Sequence, residues 1–214
     1  MTAPLIGLVG KKRAGKDTFA ERLIAQHGFQ KVSFSAPVKE AALAVDPIIA
    51  TDPTNGFERN GEGSIIYAMR LSKIVDQFGW EAAKEDPEVR RFLQRLGTDA
   101  IRAIDPDFWV RAGMERAQDV RVGQPVYADG YMNGPSGWEN RHPVVITDVR
   151  FKNEAAAIRA AGGILVRVER PGSDDGDTHA SEVELDTYPV DRLVYNGGTV
   201  EQLHNQADAV AASL

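Results

Sequence analysis

The chain has no cysteine in its 214 residues, which excludes disulfides, zinc–thiolate sites and a thiol nucleophile. That absence is compatible with a cytoplasmic protein, the compartment expected here. Histidine is scarce, with only 4 in the chain and no metal-ligand spacing among them. No apolar run approaches the roughly 20 residues of a membrane span. The short N-terminal apolar run leads into a glycine-containing loop rather than a cleavage site, so neither a signal peptide nor a membrane partner is expected. Positive charge is in the minority: 25 Lys and Arg stand against 31 Asp and Glu, a formal net charge of −6. This balance argues against a broad nucleic-acid surface, and no nucleic-acid partner is expected. The basic residues gather in particular segments, which suits small anionic ligands better. No repeat of fixed period is present. At this length one domain, or one domain with a sizeable insertion, can bury a core unaided.

What is present is concentrated at the N-terminus. An apolar run, Leu5 to Val9, enters a loop bounded by Gly10 and Gly15; Lys16 follows, then a helical stretch from Phe19 to Gln26. Strand, glycine loop, lysine and helix in that order form a Walker A motif. Glycines let backbone N–H groups turn toward phosphate oxygens, the helix N-terminus adds positive potential, and the lysine reaches the terminal phosphates. The bland alternative is a strand-to-helix turn with solvated lysines; the flanking strand and helix favour phosphate binding. One position departs from the motif. Asp17 stands where Ser or Thr is usual, and Thr18 comes one residue late. The usual hydroxyl ligates Mg²⁺, so Asp17 reads as a metal ligand, a base or a holder of second-shell water.

Further along, Lys31 to Phe34 reads as a short strand, Val38 to Val45 as a helix, and 46–64 as a loop. Apolar spacing predicts helices over Ile65 to Trp80, after Pro87 as far as Gly97, and from Phe108 to Asp119. Residues 122–142 form a second loop. Val144 to Thr147, Ile164 to Val168 and Leu193 to Tyr195 read as buried strands, with helices at Asn153 to Ala161 and from Val200. Alternating strands and helices imply an α/β fold with a mostly parallel, helix-covered sheet. The span of about 46–142 has little strand signal. It is expected to be a helical lobe inserted into a core of about 1–45 and 143–214.

Several residues outside the loop can carry chemistry. Asp148 ends an apolar strand, where an acid would organise Mg²⁺; the alternative is a cap for the next turn. Arg150 follows at the carboxyl end of that strand, where ligands bind in such sheets, or it pairs with Glu154 at i+4. Arg90, Gln94 and Thr98 lie in a donor-rich helix and its exit, which is either a solvated basic face or a reader of a base. Arg70 and Lys73, three apart, fit an acceptor phosphate. Trp109 can stack on a base, although a tryptophan there is more often core. Asp177, Thr178 and Glu182 lie in a polar segment that reads as a substrate clamp or a capping box.

Together these pieces resemble one family, the bacteriophage deoxynucleoside monophosphate kinases, a branch of the P-loop nucleoside monophosphate kinase-like fold. The stretches carrying the resemblance are Gly10 to Thr18, Ser35 to Lys39, Arg90 to Asp99, Asp107 to Val110, Thr147 to Glu154, Asp177 to Glu182, and Asn196 to Thr199. That family also carries the Gly-Lys-Asp-Thr form. The resemblance implies a P-loop NTPase fold, ATP and Mg²⁺, and a deoxynucleoside monophosphate acceptor. By it, Gly10, Lys12, Arg13, Gly15, Lys16, Asp17 and Thr18 hold donor phosphates and metal. Asn196 lies near the donor adenine, and Asp177, Thr178 and Glu182 form the acceptor cluster. A homodimer is expected on general frequency; a phage-encoded protein would act in the infected host's cytoplasm. Alternatives are a kinase of dephospho-coenzyme A or phosphomevalonate, and a non-catalytic nucleotide switch. A guanine-reading Asn-Lys-x-Asp is absent from the sequence.

Overall fold

The computed structural model describes residues 2–50, 69–123, 127–128, 131–132, 141–172 and 184–214. Its strands are β1 (Leu5–Val9), β2 (Gln30–Val32), β3 (Ile48–Ala50), β4 (Met69–Arg70), β5 (Tyr127–Ala128), β6 (Tyr131–Met132), β7 (Val144–Ile146), β8 (Ile164–Glu169) and β9 (Arg192–Tyr195). The helices are α1 (Lys16–His27), α2 (Ala36–Val45), α3 (Leu71–Ala83), α4 (Pro87–Gln94), α5 (Phe108–Val122), α6 (Lys152–Ala160) and α7 (Val200–Ala212), with a π-helical segment at Arg95–Arg102 after α4. Two compact units result: Met1–Ser35 with Val110–Leu214, and Ala36–Trp109. The sequence reading set its insertion at about 46–142. In the structure α2 lies in the second unit, and the chain from Val110 onward lies in the first.

The first unit is built on a parallel sheet in the order β2-β7-β1-β8-β9. β1 sits in the middle, with Leu5 opposite Val144 on one side and Ile6 opposite Ile164 on the other. Helices cover both faces, so its five residues are all buried, which is why it reads as an unbroken apolar run. Strand alternation sends Ile6 and Leu8 into one cluster with Phe19, Leu23, Val166 and Leu203. Leu5 and Val9 join the other, with Val144, Ile146, Ile158 and Leu165. Each such side chain contributes about 1.5–3 kcal/mol by leaving water. Gly7 faces α6, and a Cβ there would lie 2.6 Å from Ile158 Cδ1. This is the α/β P-loop architecture: the loop and the strand ends that can serve it share the carboxyl edge of one parallel sheet.

α1 and α7 are joined by a shared ion group. Arg22 reaches the Asp208 carboxylate with two bonds of 2.9 and 2.7 Å, and His27 Nε2 bonds it at 2.8 Å. These partners hold the Asp208 carboxyl far below the usual carboxylate range, the Arg22 bond most strongly. Arg121 of α5 is 3% exposed and bonds the carbonyls of Ala3 and Ala161 at 2.7 and 3.1 Å. Burial pushes its guanidinium below the usual arginine range.

The second unit packs Ala42, Ile49, Leu71, Ile74, Ala83 and Val89 around a core of its own. β3 and β4 pair antiparallel within it, a short ribbon that periodicity did not signal. The helix expected to stop at Gly97 runs on as the π-helical segment to Arg102. Gly97 is there for packing rather than for termination, since a Cβ would meet Val38 Cγ1 at 3.2 Å. The helix expected from Ile65 begins at Leu71, and residues 51–68 lie outside the described part. Among the described residues, no helix is long and apolar enough to cross a membrane.

Candidate active site

The loop between β1 and α1 is shaped by backbone that ordinary residues avoid. Gly10 has φ +145 and Gly15 φ +102, values suited to glycine. Arg13 adopts φ 62 as well, a strained conformation for a residue with a Cβ. At Gly10 a Cβ would lie 2.3 Å from the Val168 carbonyl oxygen of β8; at Gly15 it would lie 2.4 Å from Asn196 Nδ2. The loop is thus pressed from behind by one strand and by the turn after another. Gly15 is the N-cap of α1, and Phe19 N–H makes its bond to the Gly15 carbonyl at 3.0 Å. The preceding N–H groups, of Lys16, Asp17 and Thr18, have no carbonyl within the helix to reach and sum to a positive end.

Lys16 curls over the loop, donating from Nζ to the carbonyls of Gly10 and Lys11 at 2.5 and 2.8 Å. A lysine held in that position is placed to exchange carbonyl oxygens for phosphate oxygens. Lys12 and Arg13 are exposed, as is Asp17, whose carboxylate is 78% exposed and 3.5 Å from Lys31 Nζ of β2. Asn196 donates from Nδ2 to the Ala14 carbonyl at 2.8 Å. This side chain therefore supports the loop. It also lines a cavity of about 460 Å³ with Tyr195, Gly197, Thr199, Gln202 and Asn205, where the sequence reading set the donor adenine.

Asp148 follows β7, and both its oxygens are engaged. Oδ2 accepts the Ser33 hydroxyl at 2.6 Å and Ser35 N–H at 2.9 Å, while Oδ1 accepts Phe34 N–H at 3.0 Å. Its carboxylate thus holds the turn after β2, at Ser33 to Ser35, and not the turn that follows Asp148 itself. Glu154 is 1% exposed and accepts the N–H groups of Arg150 and Phe151 at 2.8 and 3.1 Å. Arg150 is thus linked to Glu154 through its backbone. Its exposed side chain lines a second cavity, of about 290 Å³, with Gly10, Lys11, Arg167, Arg170 and Asp186. Cations outnumber acids around this space at the carboxyl ends of β1, β7 and β8.

In the second unit Arg70 donates to the Asp46 carbonyl at 2.8 Å, and Asp46 Oδ1 accepts Ser72 N–H at 2.8 Å. That backbone bond holds the Asp46 carboxyl below its usual range, with Arg70 and Lys73 adding to the effect. Arg90 is exposed, bonds the Lys84 carbonyl and reaches Glu85 at 3.3 Å. Gln94, Thr98 and Lys73 are exposed. Trp109 is 3% exposed, and its indole N–H donates to the Gly97 carbonyl at 2.9 Å. Its ring belongs to the core and does not present a stacking face. Asp177, Thr178 and Glu182 lie outside the described residues.

A divalent metal is the remaining group that the motif implies. No cluster of three or more His, Cys, Asp or Glu side chains able to hold a metal ion occurs among the described residues. Mg²⁺ is commonly held by one or two carboxylates together with substrate phosphates and water. Asp17, exposed in the first turn of α1, offers the right oxygen chemistry.

The family model described as deoxynucleotide monophosphate kinase matches residues 48–207. A protein of Acanthamoeba polyphaga mimivirus, provisionally named a deoxynucleotide monophosphate kinase, is 32% identical over 203 residues, covering 94% of this chain and 93% of its own. The deoxynucleotide monophosphate kinase of Enterobacteria phage T4 is 25% identical over 250 residues, covering 94% of this chain and 96% of the phage protein. A dephospho-CoA kinase from Campylobacter jejuni aligns over 99% of this chain and 97% of its own at a TM-score of 0.43 and 15% identity; nothing about the reaction follows from a likeness of that size.

Proposed function

The chain belongs to the deoxynucleotide monophosphate kinase family, and we propose how its own residues divide the work of moving a phosphoryl group from ATP to a deoxynucleoside monophosphate. It is a phosphotransferase. The observation that carries the division is Lys16, seated on the Gly10 and Lys11 carbonyls at the positive end of α1. The donor's phosphates lie along this loop, with the N–H groups of Gly15 to Thr18 and the side chains of Lys12 and Arg13 around them. An oxygen of the acceptor's phosphate forms a bond to the terminal phosphorus as the bond to the bridging oxygen breaks, leaving ADP and the deoxynucleoside diphosphate. Lys16, Arg13 and Arg150 neutralise charge on the moving group, the main protein contribution to such reactions.

Mg²⁺ bound with the donor phosphates would neutralise charge there, held by Asp17, with Asp148 in an orienting role. For the acceptor we assign Arg150, Arg70 and Lys73 to its phosphate, and Gln94, Thr98, Asp177, Thr178 and Glu182 to the rest of the molecule. The donor base occupies the cavity beside Asn196. The test is to incubate the purified protein with ATP and Mg²⁺ and, one at a time, each deoxynucleoside and ribonucleoside monophosphate, and to quantify diphosphates. Conversion of one or more deoxy forms is the expected result. If none is converted while ATP still binds, the reading fails and another phosphorylated acceptor must be sought.

A further inference from the structure

Arg167 projects from β8 and spends its guanidinium entirely on main chain. Nη1 donates to the Asp186 carbonyl at 2.5 Å, and Nη2 donates to those of Leu185 and Tyr188 at 2.5 and 2.9 Å. A planar fork suits this task, where one ammonium could not span three acceptors. The same short stretch is fixed twice more. Leu185 is buried against the Leu5 face of the sheet, and Glu184 accepts Lys152 N–H at 2.8 Å. From this fixed stretch the Asp186 carboxylate reaches Lys11 Nζ at 2.9 Å. Lys11 belongs to the phosphate loop, and its carbonyl receives both Lys16 Nζ at 2.8 Å and Ala14 N–H at 3.2 Å.

We infer that Asp186 and Arg167 are positioning residues for the phosphate loop: Arg167 fixes Asp186, and Asp186 fixes Lys11, the residue whose carbonyl seats Lys16. The inference rests on the reading of Gly10 to Thr18 as the donor-phosphate site. A half-exposed ion pair ordinarily contributes little, because two free side chains must be ordered to form it. Here one end is already ordered by four hydrogen bonds and a buried leucine, so less freedom is lost. The other end is a loop with three residues at positive φ, which benefits from an external tether. Neither Asp186 nor Arg167 needs to touch nucleotide for the effect to appear in donor affinity.

The test is a cycle of Asp186→Asn, Lys11→Met and the double variant, with ATP varied at saturating acceptor. Each single change is expected to raise the KM for ATP by about two- to fivefold, with kcat nearly unchanged in Asp186→Asn. The double variant is expected to be no worse than either single one, because both remove the same tie. The difference from wild type shrinks as salt is raised toward about 1 M, and Arg167→Lys shifts the KM for ATP in the same direction. A purely structural role would lower the melting temperature and leave the salt response alone. An unchanged KM for ATP in Asp186→Asn, or single effects that add in the double variant, overturns the inference. Lys16→Ala separates the two failures: full turnover there removes the donor-site reading itself. Loss of turnover there, with Asp186→Asn behaving as wild type, removes only this inference.

Discussion

The Ser33 hydroxyl donates to the Asp148 carboxylate at 2.6 Å, joining positions 115 residues apart in the chain. With the Phe34 and Ser35 N–H groups on the same carboxylate, the ends of β2 and β7 are tied together beside the phosphate loop. Asp148→Asn sets an amide NH₂ against donors that now meet an acceptor. The cost expected is about 1–3 kcal/mol of stability, with a fall in kcat as the turn loosens. Ser33→Ala removes the bond to Asp148 and two local bonds to Ser35, at 2.7 and 3.1 Å, and is expected to cost about 1–2 kcal/mol. Denaturant titration of both variants checks the order.

Asn196 and Gly15 act as a pair. Asn196→Ala frees the Ala14 carbonyl and is expected to raise the KM for ATP, with about 1 kcal/mol lost in stability. Gly15→Ala is predicted to be worse, because φ +102 and the amide 2.4 Å from the new Cβ both oppose it. Combining the two relieves the collision but leaves the backbone strain, so the double variant recovers only part of the loss. Steady-state kinetics and melting curves on the three proteins decide this.

Lys16→Ala leaves the helix and strand packing in place, since its bonds go to two loop carbonyls. The melting temperature is expected to stay within about 2 °C of wild type. The value of kcat/KM is expected to fall by about 10²–10³, the usual cost of one charge-stabilising donor.

Asp208 gives the fold an acid limit. Its folded-state carboxyl lies far below the usual range because of Arg22 and His27, so folding favours its ionised form. The resulting stabilisation is complete above the unfolded pKa of about 3.9 and is lost progressively as pH falls below it. Asp208→Asn is expected to melt lower than wild type at pH 7, with the gap steady down to about 4 and narrowing as pH drops from about 4 toward 2. Melting curves across that range test the sign; a constant gap would remove Asp208 from the account.

The sequence carried the first unit well. β1 is a run of five apolar residues because it is buried on both faces, and the loop after it announces itself by two glycines and a lysine. The role of Asp148 was half legible: its place at a strand end could be read, but its partners, Ser33 to Ser35, are brought to it only by the pairing of β2 with β7. Trp109 reads as core more readily than as a stacking platform, and the Gly97 carbonyl that takes its indole N–H decides it. Gly97 itself misled, because a glycine at a helix end usually signals a stop, and here it makes room for Val38. Arg121 and Arg167 gave no signal, and Glu154 is legible only as an ion-pair partner of the Arg150 side chain, not as the acceptor of backbone N–H groups. Each is a charged residue serving distant or local backbone groups, and neither spacing nor composition records which carbonyls or N–H groups a fold leaves needing a partner.

The sheet order also has a temporal side. β1 is translated first, yet its two neighbours begin at Val144 and Ile164, and the amide that supports Ala14 arrives at Asn196. As the chain leaves the ribosome, the nucleotide loop has its complete local sequence long before it has either flanking strand. Contacts of such long sequence separation form slowly, and a chain interrupted before β7 would carry the whole phosphate motif with neither flanking strand beside it. The loop's supports are therefore made well after the loop itself, at Val144, Ile164 and Asn196 in turn.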